Sequence, residues 1–170
     1  LKYIGLFATG FNNIDVEYCR AHGIIVCNAG SYSTNAVAQH TFALILEHFN
    51  RVAQYNQYVQ DGLWKRSPTF SPFVYPLSEL AGKTLGIVGL GAIGTAVAKI
   101  AGAFQMNVIG CNRSPKTVDG VETVSFEELL RRSDIVSVHC PLNAESRDLF
   151  NKTTFARMKQ GALFVNTARG

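Results

Sequence analysis

The chain has 170 residues, 47% hydrophobic and 16% charged, enough for one good core or for one domain plus part of another. Its net charge of +4 is scattered, with no Lys/Arg run, which speaks against nucleic acid and membrane surfaces as partners. No apolar run reaches transmembrane length and no signal peptide opens the sequence, so a cytoplasmic globular protein is expected.

The four cysteines, Cys19, Cys27, Cys111 and Cys140, show no CxxC or other metal-ligand spacing. They read as small buried apolar side chains in a reducing compartment, and no metal site is expected. The sequence opens on Leu1 rather than methionine and stops at Gly170 directly after a strand-like run. A fragment of a longer protein is expected.

Residues 1–30 predict one small β-α-β piece, with strands over 3–7 and 24–27 and a helix over 15–21. Ala8-Thr9-Gly10 makes the turn, Asn12 and Asn13 suit it, and Asp15 suits the helix start. A long helix over 33–60 comes next, capped by Ser33 or Thr34. Ala38, Phe42, Ile45 and Phe49 share one face, while Ala36, Ala43, Leu44 and Leu46 cover much of the rest. Such a helix is expected to be buried on several sides, at a domain junction or a subunit interface. His40 and His48 read as packing or solvated side chains. Residues 62–78 hold Pro68, Pro72 and Pro76 and predict an irregular connector, anchored by Trp64, Phe70, Phe73 and Tyr75.

Strands and helices then alternate: Thr84–Val88, a helix over 92–104, Asn107–Cys111, the helix Phe126–Arg132, a strand over 134–138, a helical turn over 154–159 and a strand over 162–166. Ile93, Ala96, Val97, Ile100 and Phe104 form the expected inner stripe of the first of these helices. The strands are short and apolar without clear alternation, as in a parallel sheet covered on both faces. The order predicts an α/β, doubly wound Rossmann-type sheet.

Between the first strand and its helix stands Gly89-Leu90-Gly91-Ala92-Ile93-Gly94. A strand before and an amphipathic helix after turn this GxGxxG into a dinucleotide-binding signal. Gly89 permits the tight turn, Gly91 lets the backbone approach a pyrophosphate, and Gly94 allows close helix packing. Ala92 and Ile93 then lie at the helix start, where free N–H groups face phosphates. About 20 residues on, an acid would bind the ribose 2′-hydroxyl of NAD. Here stand Asn112, Arg113 and Ser114, with Lys116 nearby. A neutral residue beside an arginine suits a 2′-phosphate, so NADP(H) is favoured over NAD(H).

With the Ser33 helix, the glycine turn and the ending Asn166-Thr167-Ala168-Arg169-Gly170, the chain resembles the D-isomer-specific 2-hydroxyacid dehydrogenases. Residues 8–15 resemble that family's substrate-side turn, residues 33–39 the start of its interdomain helix, and His139-Cys140-Pro141-Leu142 its later cofactor loop. Residues 75–80 are similar to the glycerate dehydrogenase or hydroxypyruvate reductase branch. The resemblance implies that residues 1–31 end the first segment of a split, flavodoxin-like substrate domain, and that 32–170 are the dinucleotide-binding domain. It implies that Arg169 binds the substrate carboxylate and polarises the 2-oxo group, with Thr9 and Gly10 N–H groups holding the carboxylate from the other side. Asn112, Arg113 and Ser114 would take the adenosine ribose, and Cys140, Pro141 and Ser146 would line the cofactor pocket. Thr167, Ala168 and Arg169 would approach the nicotinamide end. The family's histidine proton donor and its glutamate would come after Gly170, so His139 is not given that role and residues 1–170 alone are expected to be inactive. Gln39 and Asn112 depart from the usual Glu and Asp. The implied function is hydride transfer between NAD(P)H and a 2-oxo acid of hydroxypyruvate or glyoxylate type, giving a D-2-hydroxy acid, in a homodimer. The alternative is a dinucleotide-sensing, corepressor-like regulator on the same fold; an intact glutamate and histidine after Gly170 would favour the enzyme.

Overall fold

The computed structural model describes residues 1–169. The first strand and helix obey their local signals. Tyr3–Gly5 (β1) and Ile25–Cys27 (β2) pair in parallel, joined by the helix Val16–Ala21 (α1). Asp15 caps α1 by accepting the Tyr18 N–H at 2.8 Å.

The expected helix over 33–60 is two helices, Thr34–Asn50 (α2) and Val52–Gln60 (α3), broken at Arg51 with φ 53°. That left-handed residue closes α2 through its N–H to the Glu47 carbonyl at 2.9 Å. The Glu47 carboxylate then accepts the Ala53 N–H at 3.2 Å, doing for α3 what a cap does. Ser33 occupies the N-cap position of α2 without a side-chain cap bond. Only one stripe of α2 is buried, Ala38, Thr41, Phe42 and Ile45, whereas Ala36, Ala43 and Leu44 are exposed. The expected burial on several sides is therefore not seen within this chain.

The connector over 62–78 is irregular as expected, but its aromatic anchoring is not. Trp64, Phe70 and Phe73 are exposed; Tyr75 alone of the four packs, edge-on to Tyr55 at 5.3 Å, beside the buried Pro72.

The larger sheet is built from Thr84–Val88 (β3), Asn107–Cys111 (β4), Glu122–Thr123 (β5), Ile135–Val138 (β6) and Leu163–Asn166 (β7). Its order is β5-β4-β3-β6-β7, all parallel. The helix Ala92–Ala103 (α4) and α2 cover one face, and Phe126–Arg132 (α5) the other. β3 shows why both faces fill: Leu85 and Ile87 enter the α2/α4 core, and Val88 the α5 core. Each such side chain contributes about 2 kcal/mol when fully buried. No sequence signal marks β5, a two-residue edge strand held by Arg132, whose guanidinium grips both oxygens of Glu122 at 2.8 and 2.7 Å.

The inner face of α4 is Gly94, Val97, Ala98 and Ala101, rotated from the expected stripe. Small residues let the helix lie close on the sheet, leaving Ile93, Ala96 and Ile100 at the flanks. Phe104 stays 39% exposed even while stacked on Phe42 at 5.5 Å. The helical turn expected over 154–159 falls at Lys152–Phe155 (α6), where Asn151 and Thr154 form a capping box.

Candidate functional site

Gly89, at φ 97°, turns the chain out of β3. A Cβ there would stand 2.7 Å from the Cys140 backbone nitrogen, so the turn presses against the loop after β6. A Cβ on Gly94 would strike the Gly89 carbonyl oxygen, which is how α4 starts so near the strand. Around Gly91 there is no protein atom within 4 Å of a Cβ position. Gly91 is the N-cap of α4, and no side chain caps the turn that begins with Ala92 and Ile93. Helix N–H groups thus face open space, the arrangement that accepts a phosphate.

That space continues into a cleft of about 530 Å³. Gly89, Gly91, Asn112, Arg113, Ser114, Cys140, Pro141 and Ser146 all line it. Its position at the C-terminal ends of β3, β4 and β6 is where doubly wound sheets bind ligands. The shape, the glycine cradle and the helix start fit a dinucleotide.

Several wall residues had no sequence signal. Val124, Ser125 and Phe126 reach the cleft because β5 carries them there. Asn143 shapes the loop after β6: its Oδ1 accepts the Glu145 and Ser146 N–H groups at 3.0 and 2.9 Å. Ser146 closes the same loop by donating its hydroxyl to the Pro141 carbonyl at 2.6 Å.

The end of the cleft lined by residues 112–114, where the ribose was expected, is less free than the sequence suggested. Arg113 donates to the Glu145 carboxylate at 2.9 Å, so an acid does stand there, supplied by a different loop. Asn112 accepts the Leu90 N–H at 3.2 Å and donates to the Ser114 carbonyl at 3.0 Å, bracing the glycine turn. The Lys116 amine donates to the Leu90 carbonyl at 2.5 Å and is occupied there.

Cys111 and Cys140 form the apolar wall beside them. Burial pushes the Cys111 thiol up to about 11, with Cys140 adding to it, and burial raises Cys140 as well. Both are neutral thiols near pH 7 and not nucleophiles. All four cysteines are free. Among the described residues no His/Cys/Asp/Glu group could hold a metal ion, and no helix is long and apolar enough to cross a membrane.

His139 also lines the cleft, its Nε2 2.8 Å from the buried Ser137 hydroxyl. Burial drives its pKa down to about 4. The folded chain keeps the ring neutral to about pH 4, while the unfolded chain protonates it below about 6.5. Stability is therefore full above pH 6.5 and falls between 6.5 and 4, by on the order of 2–3 kcal/mol. Urea unfolding at pH 7 and pH 5 is expected to show this loss in the wild type and a smaller one in His139→Gln; equal losses would contradict it.

A second cavity of about 260 Å³ shares Cys140, Pro141 and Ser146 with the first and ends at Asn166 and Arg169. Asn166 shapes the ending, accepting the Ala168 N–H and donating to the Arg169 carbonyl, both at 2.9 Å. Thr167 is tied to α2 through the buried Thr41, hydroxyl to hydroxyl at 3.2 Å. Arg169 donates to Asn12 Oδ1 at 3.3 Å, and its guanidinium lies against Gly10, where a Cβ would collide with it. Thr9 meets Ser33, hydroxyl to hydroxyl, at 3.2 Å, and its carbonyl accepts Asn28 Nδ2 at 2.7 Å. The turn over 9–12 and Arg169 thus meet at one point. Asn12 is the residue there that the sequence marked only as a turn former.

Fold and cleft together define a dinucleotide-binding domain of the doubly wound class. The profile of the D-isomer specific 2-hydroxyacid dehydrogenase NAD-binding domain matches residues 42–170, and the chain belongs to that family. It is 39% identical over 173 residues to a hydroxypyruvate reductase of Blautia hydrogenotrophica, covering 100% of this chain and 54% of that protein. Among solved structures, an acyclic imino acid reductase in complex with NADPH and D-arginine superposes at TM-score 0.89 with 39% identity, over 100% of this chain and 54% of that one. The D-lactate dehydrogenase of Aquifex aeolicus, complexed with NAD and lactic acid, gives 0.88 at 34% identity, over 100% and 50%. The chain spans about half the length of these proteins.

Proposed function

We propose that the whole protein reduces a small 2-oxo acid to a D-2-hydroxy acid with a nicotinamide dinucleotide. The observation that carries this is Arg169, held against Gly10 and Asn12 in a smaller cavity that shares a wall with the dinucleotide cleft. When bound, the nicotinamide supplies the hydride chemistry. The chain's own residues bind and orient. The Arg169 guanidinium matches a carboxylate as a fork and polarises the adjacent 2-oxo group. Thr9 and Gly10 N–H groups hold the carboxylate opposite it, with Thr167 and Ala168 at the nicotinamide end. Gly89, Gly91, Ala92, Ile93 and Gly94 cradle the pyrophosphate. The oxygen's proton is assigned to a histidine after residue 170, so residues 1–170 alone turn nothing over.

Hydroxypyruvate and glyoxylate are the favoured substrates, supported by the hydroxypyruvate reductase likeness. NADP(H) is favoured over NAD(H), supported by Arg113 and Ser114 at the ribose end and by the neutral Asn112. In this reading residues 1–31 end the first segment of the substrate domain and 32–170 form the cofactor domain. The exposed Ala36, Ala43 and Leu44 of α2, with Trp64, Phe70 and Phe73, form the contact of a homodimer, which a monomer in light scattering would refute. A cytoplasmic location accords with the four free thiols.

The test is steady-state kinetics of the whole protein with hydroxypyruvate, glyoxylate and pyruvate, each with NADPH and NADH. The expected result is turnover with the first two and a higher kcat/KM with NADPH. Absence of turnover with any 2-oxo acid would overturn the reading, and a strong NADH preference would overturn the cofactor assignment.

A further inference from the structure

Two loops meet at the ribose end of the larger cleft. Arg113 lies just past β4, Glu145 belongs to the loop after β6, and both line the cavity. Their side chains pair at 2.9 Å, and that bond holds the Arg113 guanidinium above its ordinary pKa. The Asn143 turn fixes the backbone under Glu145, so the carboxylate is presented by an ordered loop. The pair itself is loose in the energetic sense, its side chains 74% and 65% exposed, and exposed pairs exchange partners at little cost. The other nearby cation, Lys116, is engaged with the Leu90 carbonyl.

We propose that Glu145 is an intramolecular competitor for the 2′-phosphate and so sets how strongly this protein discriminates NADP(H) from NAD(H). The inference rests on the proposed placing of the adenosine ribose at residues 112–114. A 2′-phosphate must take Arg113 away from a carboxylate and then sit beside that like charge. A ribose with a free 2′-hydroxyl leaves the ion pair in place and can donate its hydroxyl to Glu145. One side chain therefore weakens the phosphorylated cofactor and serves the other, and the NADP(H) preference is narrower than Arg113 alone would give.

Glu145→Gln keeps the size and the hydrogen bonding and removes the charge. In the whole protein, calorimetric binding of NADPH, NADH, adenosine 2′,5′-bisphosphate and 5′-AMP reads the effect. The variant is expected to bind NADPH and the bisphosphate about two- to fivefold more tightly, the scale set by losing one exposed charge partner, with NADH and 5′-AMP moving by less than about 1.5-fold. An unchanged ratio of NADPH to NADH affinity would overturn the proposal, as would equal loosening of both. Arg113→Ala separates this from failure of the underlying reading. If it weakens NADPH and the bisphosphate alone while Glu145→Gln changes nothing, the ribose position stands and the role of Glu145 falls. If Arg113→Ala alters neither cofactor, the ribose position is wrong and the proposal falls with it.

Discussion

Arg169→Ala in the whole protein is expected to lower kcat/KM for the 2-oxo acid by about a thousandfold, on the order of 4 kcal/mol, the upper end of the range for removing one donor to a developing oxyanion. NADPH affinity should change by less than about threefold, because no atom of Arg169 lines the larger cleft. The reason is geometric as well as electrostatic. Arg169 is steadied by Asn12 Oδ1 and by the Ala168 carbonyl, so its fork is set before substrate arrives. Arg169→Lys keeps the charge but loses the planar fork, and should recover only a small part of the activity. Gly10→Ala gives an independent check, since the added methyl would displace the same guanidinium. Equal loss of NADPH binding and turnover in Arg169→Ala would assign the residue to the cofactor instead.

Gly91→Val is expected to leave folding nearly unchanged and to weaken dinucleotide binding by about 30-fold or more, since the backbone could no longer approach the pyrophosphate. The separation is possible at this glycine because of where its missing side chain would point. At φ −69° and ψ −163° an L residue fits the backbone, and no protein atom lies within 4 Å of its Cβ. An N-cap change from glycine to valine costs on the order of 1 kcal/mol, below the scale of a lost fold. Gly89 and Gly94 offer no such separation. Gly89→Ala meets a left-handed φ and the Cys140 backbone, and Gly94→Ala meets the Gly89 carbonyl, so both should destabilise the fold itself. Thermal unfolding alongside NADPH titration distinguishes the three. A Gly91→Val protein that binds NADPH normally would remove the glycine turn from the cofactor site.

These glycines also mark what was legible in the sequence. β3, β4 and α5 fall where their apolar runs and spacing predict, because each is decided by neighbours a few residues away. The break at Arg51 was hidden since Glu47, a good helix former inside α2, doubles as a partner for the Ala53 N–H. β5 was invisible because two residues carry no periodicity, and its anchor, Arg132, lies 10 residues on. The site shows the same division. The glycine turn is one contiguous motif and could be read directly. Glu145 lies 32 residues from Arg113 and Asn12 lies 157 from Arg169, so neither pairing exists until the chain is folded. That distance is why the surroundings of Arg113 looked free of acid, and why Asn12 passed for a turn former. The exposed apolar side of α2 arose from a related limit: periodicity reports an apolar surface, not what covers it.

Central to the proposed mechanism is a nicotinamide hydride reaching C2 of a 2-oxo acid held by Arg169. The most direct measurement is turnover of hydroxypyruvate by the whole protein with NADPH deuterated at both C4 positions, with mass and chiral analysis of the product. The expected product is glycerate of the D configuration carrying one deuterium, at C2. Glycerate without deuterium, or of the L configuration, or no product at all, would contradict it.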